Sequence, residues 1–152
     1  MTAIFYWRRT DPALIGPDPL DLVPSWSDDA FDRERKAGIL VAASDTGELI
    51  TNLLRMADRP ADLLPDDLET DSPSVLSPDQ VTDIASALAG IDPEELVQEF
   101  RTELADAAED LGYRRPFDDE WADSVATDLA DLRTLFALAA EAGEAVIVTV
   151  DA

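Results

Sequence analysis

Apolar residues at helical spacing dominate the second half of the chain. The segment 77–80 (SPDQ) has the order of a helix start: a capping serine, a proline at the first helical position and a glutamine three residues after the cap. Apolar residues then recur every three or four positions until Gly90, which is predicted to end the helix. The segment 92–95 (DPEE) repeats the start signal, and its helix is predicted to stop at Gly112. Its apolar stripe is Leu96, Phe100, Leu104, Ala107 and Leu111.

Two further helices are predicted from their caps. Asp45, with Glu48 three residues later, has the spacing of a capping box and opens a helix that ends near Ala57. Asp118 caps a long helix that ends at Gly143, and acidic residues in its first turn suit the positive end of the helix dipole. The predicted buried stripe of this long helix is Trp121, Val125, Leu129, Leu132, Phe136 and Ala139.

Short apolar runs at the two ends of the chain predict strands. Residues 3–7 are rich in aromatics, and the continuous apolar run 145–150 is typical of a strand in the centre of a sheet. Residues 37–43 fit either a strand or part of a helix, because periodicity does not decide so short a run. The predicted class is α+β, with a small sheet that includes the N- and C-terminal strands and a covering layer of three to four helices.

Proline-rich stretches at 10–27 and 58–76 are predicted to be an extended surface segment and a surface loop. Neither flank of the second stretch is long enough for a comfortable independent core, so we predict one domain over residues 1–152. It comprises an N-terminal strand with a proline-rich segment (1–60), an acidic helical half (61–143) and a C-terminal strand (144–151). No apolar run approaches the length of a membrane span and the N-terminus lacks signal-peptide order, so we expect a cytoplasmic protein.

Charge is unevenly distributed along the chain. The 34 acidic and 11 basic residues give a formal charge of −23. Residues 1–60 hold 10 acids and 7 bases, whereas residues 61–152 hold 24 acids and 4 bases. Nucleic acids and anionic membranes are bound through Lys and Arg, so we expect no direct binding to either, while a basic protein suits the acidic half. The basic clusters are predicted to pair with the acidic half or, alternatively, to hold an anionic ligand: Arg8, Arg9, Arg33, Arg35 and Lys36.

The chain contains no Cys and no His. This excludes disulfides, thiolate nucleophiles, imidazole bases and the common zinc sites. Carboxylate chemistry, a Mg²⁺ or Ca²⁺ site and binding without catalysis remain open. Adjacent carboxylates are nearly inevitable among 34 acids, and the acidic loop 66–71 lacks EF-hand spacing. We therefore expect no catalytic residues, no metal site and no cofactor.

The region 75–150 resembles the YfbM-like family, a bacterial domain of unknown function, in the order and spacing of four motifs. These are the segment 76–81 (LSPDQV) running into 84–88, the segment 91–96 (IDPEEL), the lone Trp121, and the segment 132–143 (LRTLFALAAEAG) before the closing strand. The resemblance implies a compact α+β domain and implies no reaction.

These observations favour a non-catalytic cytosolic protein that docks a basic protein partner, as an immunity protein or an inhibitor does. The alternatives are a housekeeping domain whose acidity only solvates it, and a carboxylate- or Mg²⁺-dependent enzyme. Trp121 lies on a predicted core stripe, whereas Trp26 lies in the proline-rich segment just before two aspartates and is the better interface anchor. The predicted partner-binding residues are Trp26, Asp28, Asp29, Asp66, Asp67, Glu69 and Asp71.

Overall fold

The computed structural model describes residues 4–14, 28–58, 63–64 and 73–151, which form a sheet with helices packed on it. The strands are β1 (Ile4–Thr10), β2 (Leu40–Ser44), β3 (Ser74–Leu76) and β4 (Ala145–Asp151). The helices are α1 (Asp28–Lys36), α2 (Gly47–Met56), α3 (Pro78–Ala89), α4 (Pro93–Glu99), α5 (Arg101–Asp110) and α6 (Asp119–Ala142), and a 3₁₀ turn (Pro12–Leu14) follows β1.

The sheet confirms the predicted α+β class. Its strand order is β2-β1-β4-β3, and every neighbouring pair is antiparallel. The two terminal strands pair along their whole length, from Ile4 opposite Asp151 to Thr10 opposite Ala145. Strand β4 is central, with a neighbouring strand on each side, and its consecutive residues 145–148 are all buried. The ambiguous segment 37–43 contains most of β2, so its strand alternative is the correct one.

The capped helices largely follow the prediction. Ser77 and Gln80 form the predicted capping box of α3, and the Asp118 side chain accepts a hydrogen bond from the Trp121 backbone N–H at the start of α6. All six residues of the predicted α6 stripe are buried. Gly143 has a φ of 68°, a left-handed conformation that costs a glycine little and lets the chain turn from α6 into β4.

The predicted helix from Asp92 to Leu111 is in fact two helices, α4 and α5, that meet at Phe100. The backbone of Phe100, with φ −106° and ψ 20°, departs from helical geometry and rotates the second helix relative to the first. The buried positions shift accordingly, so Val97 and Ala108 are buried while Leu111 is 40% exposed. With α1, which the sequence pattern did not reveal, this break raises the number of α-helices among the described residues to six.

Two other local predictions were wrong. Asp45 does not cap α2; Thr46 is the N-cap residue, and Asp45 has a left-handed backbone with a φ of 65°. The predicted loop 58–76 includes β3, whose three residues pair with β4 from Ser74 opposite Val148 to Leu76 opposite Val146. A strand this short carries no readable alternation, so its pairing with β4 defines it.

The core lies between the sheet and α6. Trp7 is fully buried, and its indole N–H donates a hydrogen bond of 2.9 Å to the carbonyl of Leu63, which holds residues 63–64 against the core. Helices α3 and α4 pack on α6, and α2 packs on α5 and α6. In the part of the chain that the structure describes, no helix has the length and apolar character needed to cross a membrane.

Candidate functional site

Most of the predicted partner-binding residues lie outside the described part of the chain. This applies to Trp26, Asp66, Asp67, Glu69 and Asp71. Asp28 and Asp29 form the start of α1, and only their backbone is described. The role assigned to these seven residues stays a prediction.

The structure brings other acidic residues together in a cleft between the end of α2 and the α3–α4 connection. We call it the acidic cleft; it has a volume of about 430 Å³. The apolar side chains that line it include Met56, Ile91, Leu96 and Phe100. Among the residues that the structure describes, the lining contains no basic side chain, and its four carboxylates are exposed: Asp58, Asp92, Glu95 and Glu99.

Local backbone geometry positions these carboxylates. Asp92 caps α4, and its Oδ1 accepts a hydrogen bond of 3.3 Å from the Glu95 backbone N–H. Glu95 and Glu99 are four residues apart and therefore share one face of α4. Asp58 follows the end of α2 in a left-handed conformation with a φ of 56°. Arg133 on α6 supports the other wall by donating a hydrogen bond of 2.5 Å to the Ile91 carbonyl.

Aromatic residues cluster around Trp121 at the opposite end of α2. The Arg115 guanidinium carbon lies 4.2 Å from the Trp121 ring centroid, a cation–π contact. Tyr113 meets the Trp121 ring at 5.2 Å in an edge-to-face arrangement, and Phe117 lies at 5.3 Å. We call these residues, together with Asp45, the Trp121 cluster.

Asp45 provides the carboxylate of this cluster. Its Oδ2 lies 3.6 Å from Arg115 Nη1, and its Oδ1 is buried without a hydrogen-bond partner. Burial raises the pKa of Tyr113, and the carboxylates of Asp45 and Glu48 raise this pKa further, while Arg115 lowers it. The Tyr113 hydroxyl therefore lies in the field of two carboxylates and one guanidinium.

The turn between β2 and α2 is tied to α6 next to this cluster. The Thr46 hydroxyl donates a hydrogen bond of 2.6 Å to Asp128 Oδ2 instead of capping α2. Burial raises the pKa of Asp128, and the Thr46 hydrogen bond partly opposes that shift. A mixed-charge cleft of about 370 Å³ lies nearby, between α1, β2 and α6, and its lining includes Arg35, Lys36 and Asp131.

Two of the basic residues near the N-terminus form ion pairs, Arg8 within residues 1–60 and Arg9 with the acidic half. Arg8 Nη2 lies 2.8 Å from Glu34 Oε1, and Arg9 Nη1 lies 3.3 Å from Glu144 Oε1. The ion pair between Arg9 and Glu144 joins the near-neutral residues 1–60 to the acidic residues 61–152. This agrees with the alternative in which basic residues pair with the acidic half. Within residues 4–14, 28–58, 63–64 and 73–151, no group of three or more Asp or Glu side chains is arranged to hold a metal ion.

A family model for a domain of unknown function, DUF1877, matches residues 47–149. The chain belongs to the DUF1877 family. This family is also known as YfbM-like, so the predicted resemblance is confirmed, and the match extends it upstream to the first residue of α2. Comparisons with curated proteins and with solved structures gave no match.

The DUF1877 match contains every residue of the acidic cleft and, apart from Asp45, the whole Trp121 cluster. Strands β1 and β2 precede the matched region but complete its sheet, because β1 pairs with β4. Sequence reasoning missed the acidic cleft because its carboxylates come from α4, its cap and the residue after α2. The clue in the sequence was the separation of Glu95 and Glu99 by one helical turn.

Proposed function

We propose that this DUF1877 protein is a non-catalytic binding protein of the cytoplasm that docks a basic protein partner in the acidic cleft. The observation that carries the proposal is the composition of the cleft lining. Four exposed carboxylates line the cleft beside apolar side chains, and none of the described residues that line it is basic.

This arrangement suits a lysine or arginine side chain of a partner. The methylene groups of such a side chain would pack on Leu96 and Phe100, both partly buried. Its charged head would reach the carboxylates at the rim, where charge-assisted hydrogen bonds are about twice as strong as neutral ones.

The net negative charge of residues 61–152 also supports a basic protein as the partner. Residues 61–152 carry 24 acidic and 4 basic residues, and a field of one sign speeds the approach of an oppositely charged protein. The acidic residues at positions 66–71, which lie outside the described residues, belong to the same proposal. The absence of Cys and His from the sequence supports binding without catalysis.

The competing explanation is that the acidity only solvates the protein. If the acidity only solvates the protein, replacing carboxylates in the cleft should affect binding no more than replacing exposed carboxylates elsewhere. If the cleft docks a partner, only the replacement of its own carboxylates should reduce binding. The test is affinity capture from a native lysate with wild type and the variant D58N/D92N/E95Q/E99Q, in which Asn at position 92 retains helix capping. The control variant D83N/E103Q/D106N/D123N removes four exposed carboxylates of α3, α5 and α6 that do not line the cleft.

We expect wild type and the control variant to retain one stoichiometric basic protein, and the cleft variant to lose it. Capture of the basic protein by wild type should weaken as salt is added, because salt screens the electrostatic attraction between the two proteins. Equal retention by the cleft and control variants, or no stoichiometric partner, would contradict the proposal and favour solvation.

A further inference from the structure

The Trp121 cluster has the chemistry of a cation-binding site. It offers the ring face of Trp121 and the carboxylate of Asp45 within contact distance of one guanidinium group, and Tyr113 packs against the Trp121 ring. Aromatic faces and a carboxylate are the groups with which proteins bind guanidinium and ammonium ions. The chain's own Arg115 occupies this position.

Arg115 fills the site incompletely. Its Nη1 is 3.6 Å from Asp45 Oδ2, beyond the usual hydrogen-bond length, so the contact is an ion pair without a good hydrogen bond. The buried Oδ1 of the same carboxylate has no partner, and a buried unsatisfied acceptor destabilises the state that contains it. A cation with a better-placed N–H group would give Oδ2 the hydrogen bond that Arg115 does not make.

The backbone of Asp45 adopts an uncommon conformation. Its φ of 65° lies in the left-handed region, which Asp adopts more readily than most residues but less readily than glycine. The Trp121 indole N–H donates to the Asp45 carbonyl at 2.9 Å, which fixes that backbone and with it the carboxylate. Strained backbone held by its surroundings is concentrated at binding sites.

The position of Arg115 also allows its side chain to move out of the site. Its side chain is 49% exposed, and it belongs to the connection between α5 and α6, which contains no helix or strand. This connection borders an open surface depression of about 680 Å³, lined by Tyr113, Arg114, Arg115 and Phe117 among others. Trp121 itself is 1% exposed and does not line the depression, so a partner's side chain reaches its face only after Arg115 has moved away.

We propose that Asp45, Tyr113 and Trp121 form a binding site for a guanidinium or alkylammonium side chain of a protein partner, and that Arg115 fills this site in the free protein. The partner's cation displaces Arg115 and takes its place over Trp121. The basic partner rests on the proposed function, but the site is distinct from the acidic cleft. The two lie at opposite ends of α2, about 15 Å apart for ten helical residues.

The test uses a single side-chain analogue and the full chain. N-acetyl-arginine amide is titrated into the R115A variant, and binding is followed through the indole N–H resonance of Trp121, assigned with W121F. We expect saturable binding to R115A, at least about tenfold tighter than to wild type, in which Arg115 competes. The matched control R114A removes a neighbouring arginine and should bind as weakly as wild type.

Two further titrations test whether binding depends on the charge of the probe and on the carboxylate of Asp45. N-acetyl-citrulline amide has nearly the same shape without the charge and should not bind R115A. The double variant R115A/D45N should lose most of the affinity for the arginine probe. Equal binding of both probes, or no saturable shift of the Trp121 resonance in folded R115A, would overturn the proposal.

A measurement on wild type covers the case in which R115A does not fold. The Arg115 Nε–H resonance, displaced by the ring current of Trp121, should move towards its free position as the arginine probe is added. An unchanged resonance at saturating probe would count against displacement. Repeating the titration in D58N/D92N/E95Q/E99Q separates the two proposals, since this variant tests the acidic cleft and leaves the Trp121 cluster intact.

Discussion

The indole N–H of Trp121 donates a hydrogen bond of 2.9 Å to the main-chain carbonyl of Asp45, 76 residues earlier in the chain. The bond ties the first turn of α6 to the turn between β2 and α2. Thr46, the next residue, makes a second tie to α6 through Asp128. Together they hold the start of α2 and one wall of the Trp121 cluster in place.

Replacing Trp121 with phenylalanine removes this hydrogen bond and part of a side chain that is only 1% exposed. We expect W121F to lower the free energy of unfolding by about 2–4 kcal/mol, because the Asp45 carbonyl loses its donor and a cavity forms. Urea denaturation measures the change. Y113F, which keeps the aromatic contact with Trp121, should change stability by less than about 0.5 kcal/mol. A similar loss in both variants would show that the indole bond is not the cause.

The left-handed backbone of Asp45 predicts an unusual order of stability among its variants. Glycine adopts a φ of 65° without the steric penalty of about 1–2 kcal/mol that other residues meet. D45A keeps the strain and loses the ion pair with Arg115, whereas D45G loses the ion pair and relieves the strain. We expect D45G to be more stable than D45A by about 1 kcal/mol in thermal unfolding. Equal stability of the two variants would mean that the backbone relaxes at this position.

Gly47 begins α2 directly against the sheet. A Cβ atom at this position would lie 2.6 Å from Cδ2 of Phe5, closer than real contacts allow. Alanine is a better helix former than glycine, yet we expect G47A to destabilise the protein by about 1–3 kcal/mol because the core is overpacked. Replacing Phe5 with leucine in the same chain should recover part of that loss. A double-mutant cycle with F5L, G47A and F5L/G47A tests this, and additive effects would contradict the contact.

The raised pKa of Asp128 is expected to make the stability of the protein depend on pH. Burial raises its pKa above the ordinary value of 3.8 despite the opposing Thr46 hydrogen bond, and burial also raises the pKa of Asp131. The folded chain therefore holds these protons more tightly than the unfolded chain. Their contribution to stability is present below pH 3.8 and is lost as the pH rises through the folded pKa.

We therefore expect D128N, in which the amide oxygen still accepts from Thr46, to be more stable than wild type at pH 7. The difference should shrink as the pH falls towards 3.8. D123N removes an exposed charge from the same helix and is the control for general charge repulsion. Chemical denaturation across this pH range measures both variants. An effect of D128N no larger than that of D123N would contradict the role of burial.

Local chemistry explains which elements were predictable. The caps of α3, α4 and α6 consist of one side chain and the backbone three residues later, so Ser77, Asp92 and Asp118 could be identified from the chain alone. The same holds for Gly143. At Asp45 the same reasoning failed, because the cap position was decided by contacts with α6, 76 and 82 residues away for Asp45 and Thr46 respectively.

The sequence by itself determined the class of the fold, the presence of a strand at each end of the chain, the buried stripe of α6 and the acidity of the second half. These follow from periodicity, capping and charge, which act over a few residues or are sums over the chain. The tertiary structure alone decided where the helix breaks at Phe100, that residues 74–76 join the sheet, and how the acidic cleft and the Trp121 cluster assemble. Each of those depends on contacts between distant segments, since a cleft or a cation site exists only where separate elements meet.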